Sequence, residues 1–123
     1  MTETSDKRLL LLIRHSPYGS SLARASIDVA LAAAAFDQAL SLLFVGDGVL
    51  QLVPTQDTEA QGVRNLGKLL SSLPLYDIEQ VYVDAEAANR YQLELTDAPL
   101  HTVALDREAM ARLLDNHDHL LGF

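Results

Sequence analysis

Ile78-Glu79-Gln80-Val81-Tyr82-Val83-Asp84-Ala85-Glu86-Ala87-Ala88 reads as a buried strand that runs into an acid and then an alanine-rich turn. In open α/β sheets ligands and chemistry gather at the carboxyl ends of the strands, so Asp84 is the first candidate for function. Upstream, Pro74-Leu75-Tyr76-Asp77 has the breakers of a turn, and Asp57 to Leu73 carries aliphatics at helical spacing (Val63, Leu66, Leu69, Leu70, Leu73). Before that helix, Ala39 to Val45 is an apolar run, broken only by Ser41, that reads as a second buried strand closed by Gly46-Asp47-Gly48, and Val49 to Pro54 is an apolar loop.

Further outward, Arg8-Leu9-Leu10-Leu11-Leu12-Ile13-Arg14 is an apolar run framed by charges, the pattern of a strand covered on both faces. A helix is expected from about Leu22 to Phe36, with Arg24 and Asp28 four apart on one face. Its second half, Val29 to Phe36, is apolar all round, which calls for cover on more than the sheet-facing side, in a domain this small from another chain. Downstream of the opening stretch, Ala85 to Tyr91 reads as a short helix and His101 to Leu105 as a strand. Asp106 caps a helix over Arg107 to Asp115, and Asp118 to Phe123 is a last strand. Strands alternating with helices predict a single α/β domain over residues 1–123, a mostly parallel five-stranded sheet with helices on both faces, and a flexible start over residues 1–7.

The 123 residues suffice for one core without staples, and 49% hydrophobic against 21% charged residues is the balance of a folded domain. A net charge of −8, with the bases spread along the chain, disfavours direct nucleic-acid binding. Met1 to Asp6 is polar and Leu9 to Ile13 is far shorter than a membrane span, so the expected compartment is the cytoplasm, with no membrane partner. There is no cysteine, which removes disulfides, thiolate metal sites, thiol nucleophiles and protein-bound persulfides together.

The remaining constellations are thin. The loop His15 to Ser21 precedes a helix and could meet an anion, but it lacks phosphate-loop glycine spacing, and a turn and cap is the plainer reading. Gly46-Asp47-Gly48 lacks the third glycine of a dinucleotide fingerprint, and a tight turn is the plainer use. His117 and His119 would share one face of a strand, yet two ligands are not a metal site, and no metal or other cofactor is expected. Asp84 is no receiver-type phosphoacceptor, because the first strand ends in Arg14-His15 where that chemistry needs paired acids. The plain reading of Asp84 is the cap of the following helical turn.

Four segments together resemble the DsrE/DsrF-like sulfur-relay family: the loop with Pro17-Tyr18-Gly19, the block Phe44 to Pro54, the run Leu75 to Val83, and Phe123. The resemblance extends from Arg8 to Phe123 and points to a DsrF-like subunit. It implies a heterohexamer with two homologous subunits, two copies of each chain. Such a complex takes sulfane sulfur from a small carrier protein and passes it toward 2-thiouridine at the tRNA wobble position; the same architecture also serves sulfur oxidation. In the active subunit a cysteine follows the third strand and opens an alanine-rich turn. Asp84 occupies that position here, and a carboxylate neither accepts nor delivers sulfane sulfur. The resemblance therefore carries over fold and partners and no catalytic residue. The rival readings are a stand-alone small-molecule or anion-binding module, and an enzyme pairing Asp84 with a histidine.

Overall fold

A computed structural model describes residues 8–16, 22–53 and 68–123. The expected flexible start, the Pro17 to Ser21 part of the first loop and the 57–67 part of the second crossover helix lie outside the described residues. The strands are β1 (Arg8–Ile13), β2 (Ala39–Phe44), β3 (Val81–Asp84), β4 (Val103–Leu105) and β5 (His119–Gly122). The helices are α1 (Leu22–Ala35), α2 (described over 68–72), α3 (Ala85–Arg90) and α4 (Arg107–Asp115). The five strands form one sheet in the order β4-β3-β2-β1-β5. Every pairing is parallel, β1 on β2 from Arg8↔Ala39 to Ile13↔Phe44 and β1 on β5 from Leu9↔His119 to Leu12↔Gly122.

This order explains where the helices go. The chain steps from β1 to β4 in one direction and then returns past β1 to lay down β5. Right-handed crossovers place the first helices on one face and the last helix on the other. Accordingly Ile27 and Ala30 of α1, Leu70 of α2 and Ala87 and Ala88 of α3 share one buried cluster with Leu11, Ile13, Leu42, Phe44, Val81 and Val83. The alternate strand residues Leu10, Ser41 and Leu43 are buried on the opposite face. There α4 is a thin cover, none of its residues being fully buried.

Local features follow the expected chemistry. Asp106 caps α4 by accepting from the Ala109 N–H at 2.8 Å. Arg24 and Asp28 stand 3.6 Å apart on the exposed side of α1. The buried stripe of α1 is Ala23, Ser26, Ile27 and Ala30; Val29, Leu31 and Ala34 pack against the same core partly buried, and Ala32 and Ala35 are exposed in the single chain. The apolar loop after β2 is a 3-10 helix, Gly46–Leu52, that turns Val49 and Leu52 into the chain's own core, leaving Val53 at the surface. The turn before β3 is likewise a 3-10 helix, Leu73–Tyr76. Among the described residues no helix is long and apolar enough to cross a membrane.

Candidate functional site

The carboxyl ends of β1, β2 and β3 meet around Asp84, the last residue of β3. Its Oδ1 accepts from the N–H groups of Glu86 at 3.1 Å and Ala87 at 3.2 Å, satisfying donors that α3 leaves free at its first turn. Its Oδ2 faces the Gly46 N–H at 3.5 Å, a long contact that reaches across to the end of β2. The carboxylate is thus committed to backbone, and no histidine is among these partners.

Glycine does two separate jobs beside it. Gly46 takes a left-handed conformation (φ 52°) that re-aims the chain out of β2. Gly48 lies against the end of β1, where an added Cβ would sit 2.0 Å from the Ile13 carbonyl oxygen. That oxygen already accepts the Val45 N–H at 2.9 Å, so the 3-10 helix is seated directly on the sheet edge. The glycines serve a turn and a close approach, and the dinucleotide reading finds no further support.

Side chains lock the same end. Gln51 is 3% exposed and donates through Nε2 to the His15 carbonyl at 2.9 Å, tying the first loop to the 3-10 helix, while its Oε1 is buried with no partner among the described residues. The Tyr91 hydroxyl, from the end of α3, donates to Asp47 Oδ1. That bond, with a smaller desolvation effect and the nearby Asp47 charge, raises the Tyr91 hydroxyl above its ordinary value of 10.0. Glu86 faces Arg107 at 3.7 Å and Arg90 at 4.0 Å, both on the surface. Arg14 donates its N–H to the Phe123 carbonyl at 2.7 Å and closes the β5 side. Neither Gln51 nor the Asp47–Tyr91 bond was visible in the sequence. Their partners lie 36 and 44 residues away, and no local pattern signals such a contact.

The histidines do not converge. His117 precedes β5, donating from Nδ1 to the Leu113 carbonyl (2.7 Å) at the end of α4; its Nε2 then accepts from the Ser41 hydroxyl (3.0 Å) on β2. His119 is exposed in β5, so the two rings do not form the face pair expected of a strand. His15 lends its backbone oxygen to Gln51, and His101 lines open grooves at the other end of the sheet. Among the described residues no three His, Cys, Asp or Glu side chains group as metal ligands.

The carboxyl end of β3 thus carries an alanine-rich helical turn capped by Asp84, beside a glycine-shaped loop. The E. coli ychN protein has a matching fold, with a TM-score of 0.80 over 95% of this chain and 99% of its own, at 17% identity. The Protein TusC homolog of Vibrio parahaemolyticus is 34% identical over 116 residues, 94% of this chain and 98% of that protein. The Protein TusC homolog of Pseudomonas aeruginosa is 33% identical over 113 residues, 92% of this chain and 95% of that protein. The DsrE/DsrF-like family profile matches residues 7–123, and the chain belongs to that family.

Proposed function

We propose that this chain is a non-catalytic structural subunit of a cytoplasmic sulfur-relay complex, filling the TusC place beside TusB-like and TusD-like subunits in a heterohexamer. The complex takes sulfane sulfur from a small carrier protein and passes it toward 2-thiolation of the tRNA wobble uridine. This subunit shapes the assembly around a partner's cysteine and does not itself touch tRNA. The observation that carries the reading is Asp84: it stands where the active subunit's cysteine would open the turn, in a chain with no cysteine, and its Oδ1 caps α3.

The test is co-expression with the two homologous chains of the same organism, native mass spectrometry of the product, and a persulfide-transfer assay. A complex with two copies of each chain is expected, in which Asp84→Asn transfers sulfur at the wild-type rate. A wild-type chain that stays monomeric in that mixture sinks the scaffold reading. A large loss of transfer in Asp84→Asn with the complex intact would give the acid a chemical part instead.

A further inference from the structure

The opposite end of the sheet carries a feature that the relay reading does not use. α1 ends in a Schellman turn, with Gln38 N–H on the Ala33 carbonyl (3.1 Å), Asp37 N–H on the Ala34 carbonyl (3.0 Å) and Asp37 left-handed at φ 57°. The 3-10 helix before β3 ends the same way: Ile78 N–H on the Leu73 carbonyl (3.1 Å), Asp77 N–H on the Pro74 carbonyl (3.1 Å) and Asp77 at φ 64°. These turns feed the neighbouring strands β2 and β3, so they stand side by side. Between them runs a groove of about 400 Å³ lined by Ala34, Asp37, Leu40, Tyr76 and Asp77, among others.

Next to the groove's Asp37 and Tyr76 stand Phe36 and Leu75, 85% and 83% exposed, and Tyr76 itself is 54% exposed. Scattered exposed apolar residues need no explanation, but Tyr76 lines this groove, and Phe36 and Leu75 adjoin in sequence the lining residues Asp37 and Tyr76, on turns pinned by paired backbone bonds. Glycine is the usual residue at such a left-handed position; aspartate at both costs about 1 kcal/mol or more each. Its effect is to set carboxylates on the rim. Among the described residues no Lys, Arg or His lines the groove. Arg8, which pairs with Ala39 across the sheet, sends its guanidinium the other way, to the Asn116 carbonyl at 3.5 Å.

We infer that this groove, with Phe36, Leu75 and Tyr76 as apolar anchors and Asp37 and Asp77 as an anionic rim, docks a different protein chain that presents apolar side chains ringed by Lys and Arg. A second copy does not fit: it would set the same carboxylates near one another between molecules of charge −8. The identity of the partner rests on the function proposed above, where it is one of the two homologous subunits.

The test measures affinity and association rate for the co-expressed subunits, by titration calorimetry and surface kinetics at about 0.05 M and about 0.5 M salt. Wild type is compared with a Phe36→Ser/Leu75→Ser pair and with Asp37→Asn/Asp77→Asn, asparagine being tolerant of the left-handed conformation. Circular dichroism confirms that each variant folds. The serine pair is expected to weaken binding about tenfold or more. The asparagine pair is expected to slow association several-fold at low salt and to flatten its salt dependence, and the isolated chain to stay monomeric. A complex that forms normally with the serine pair overturns the inference and leaves the proposed function standing. A wild-type chain that binds neither subunit overturns both. A homodimer of the isolated chain that the serine pair abolishes overturns it in favour of a second copy.

Discussion

Gly46 and Gly48 look equivalent in the string Gly46-Asp47-Gly48, and the structure separates them by physical reason. An alanine at Gly48 would drive its Cβ into the Ile13 carbonyl, whose place is held by the β1–β2 ladder, so Gly48→Ala is expected to cost about 3 kcal/mol or to prevent folding. At Gly46 an added Cβ meets nothing within 4 Å and only the positive φ opposes it, an expected loss of about 1–2 kcal/mol. Urea unfolding midpoints of the two variants compare them directly; equal losses would contradict the close approach. Tyr91 makes a separate prediction. Its hydroxyl donates to Asp47, and ionisation would lose that bond and set a phenolate beside a carboxylate, which is why it titrates above its ordinary range. Because the folded value is the raised one, this contribution to stability is present below the unfolded value of 10.0 and is lost as the pH climbs through the folded value. An NMR titration of the Tyr91 ring should move to lower pH in Asp47→Ala; an unmoved curve would remove Asp47 as the cause.

At the scale of elements, the apolar runs Leu9 to Ile13 and Leu40 to Phe44 were readable as doubly covered strands because both of their faces are dry. Ser41 interrupts the second run, and its role could not be read, since its partner His117 is 76 residues away. The pair anchors the end of α4, whose cover of the sheet is otherwise only partly buried. Ser41→Ala leaves the ring nitrogen of His117 without its donor, at an expected cost of about 1 kcal/mol. Hydrogen exchange should report that loss as faster opening of α4 with α1 unchanged, and uniform acceleration would count against a local anchor. The expected strand at His101 to Leu105 is shorter, Val103–Leu105, because only its end pairs with β3. The apolar loop Val49 to Val53 buries Val49 and Leu52 in the chain's own core. A 3-10 turn gave it a direction that hydrophobicity alone does not specify.

At the scale of the whole molecule, the exposed Ala32 and Ala35 of α1 and the groove between Asp37 and Asp77 are surfaces that the proposed assembly would cover. Binding that favours the folded state stabilises by mass action, so partner subunits at 100-fold over Kd add about 2.7 kcal/mol and raise the melting temperature by about 10 °C. A scan with and without the homologous subunits reads this, and an unchanged melting temperature at saturating partner would count against the assembly. The sequence by itself determined the strand and helix alternation, the cap at Asp84 and the absence of thiol chemistry, because these depend on local pattern and residue type. The strand order, the reach of Asp84 Oδ2 across to Gly46, the seat of Gly48 on Ile13 and the groove between Asp37 and Asp77 were decided only by the tertiary structure. Each joins residues far apart in the chain, and their proximity is set by parallel pairing and crossover direction, which no short stretch of sequence encodes.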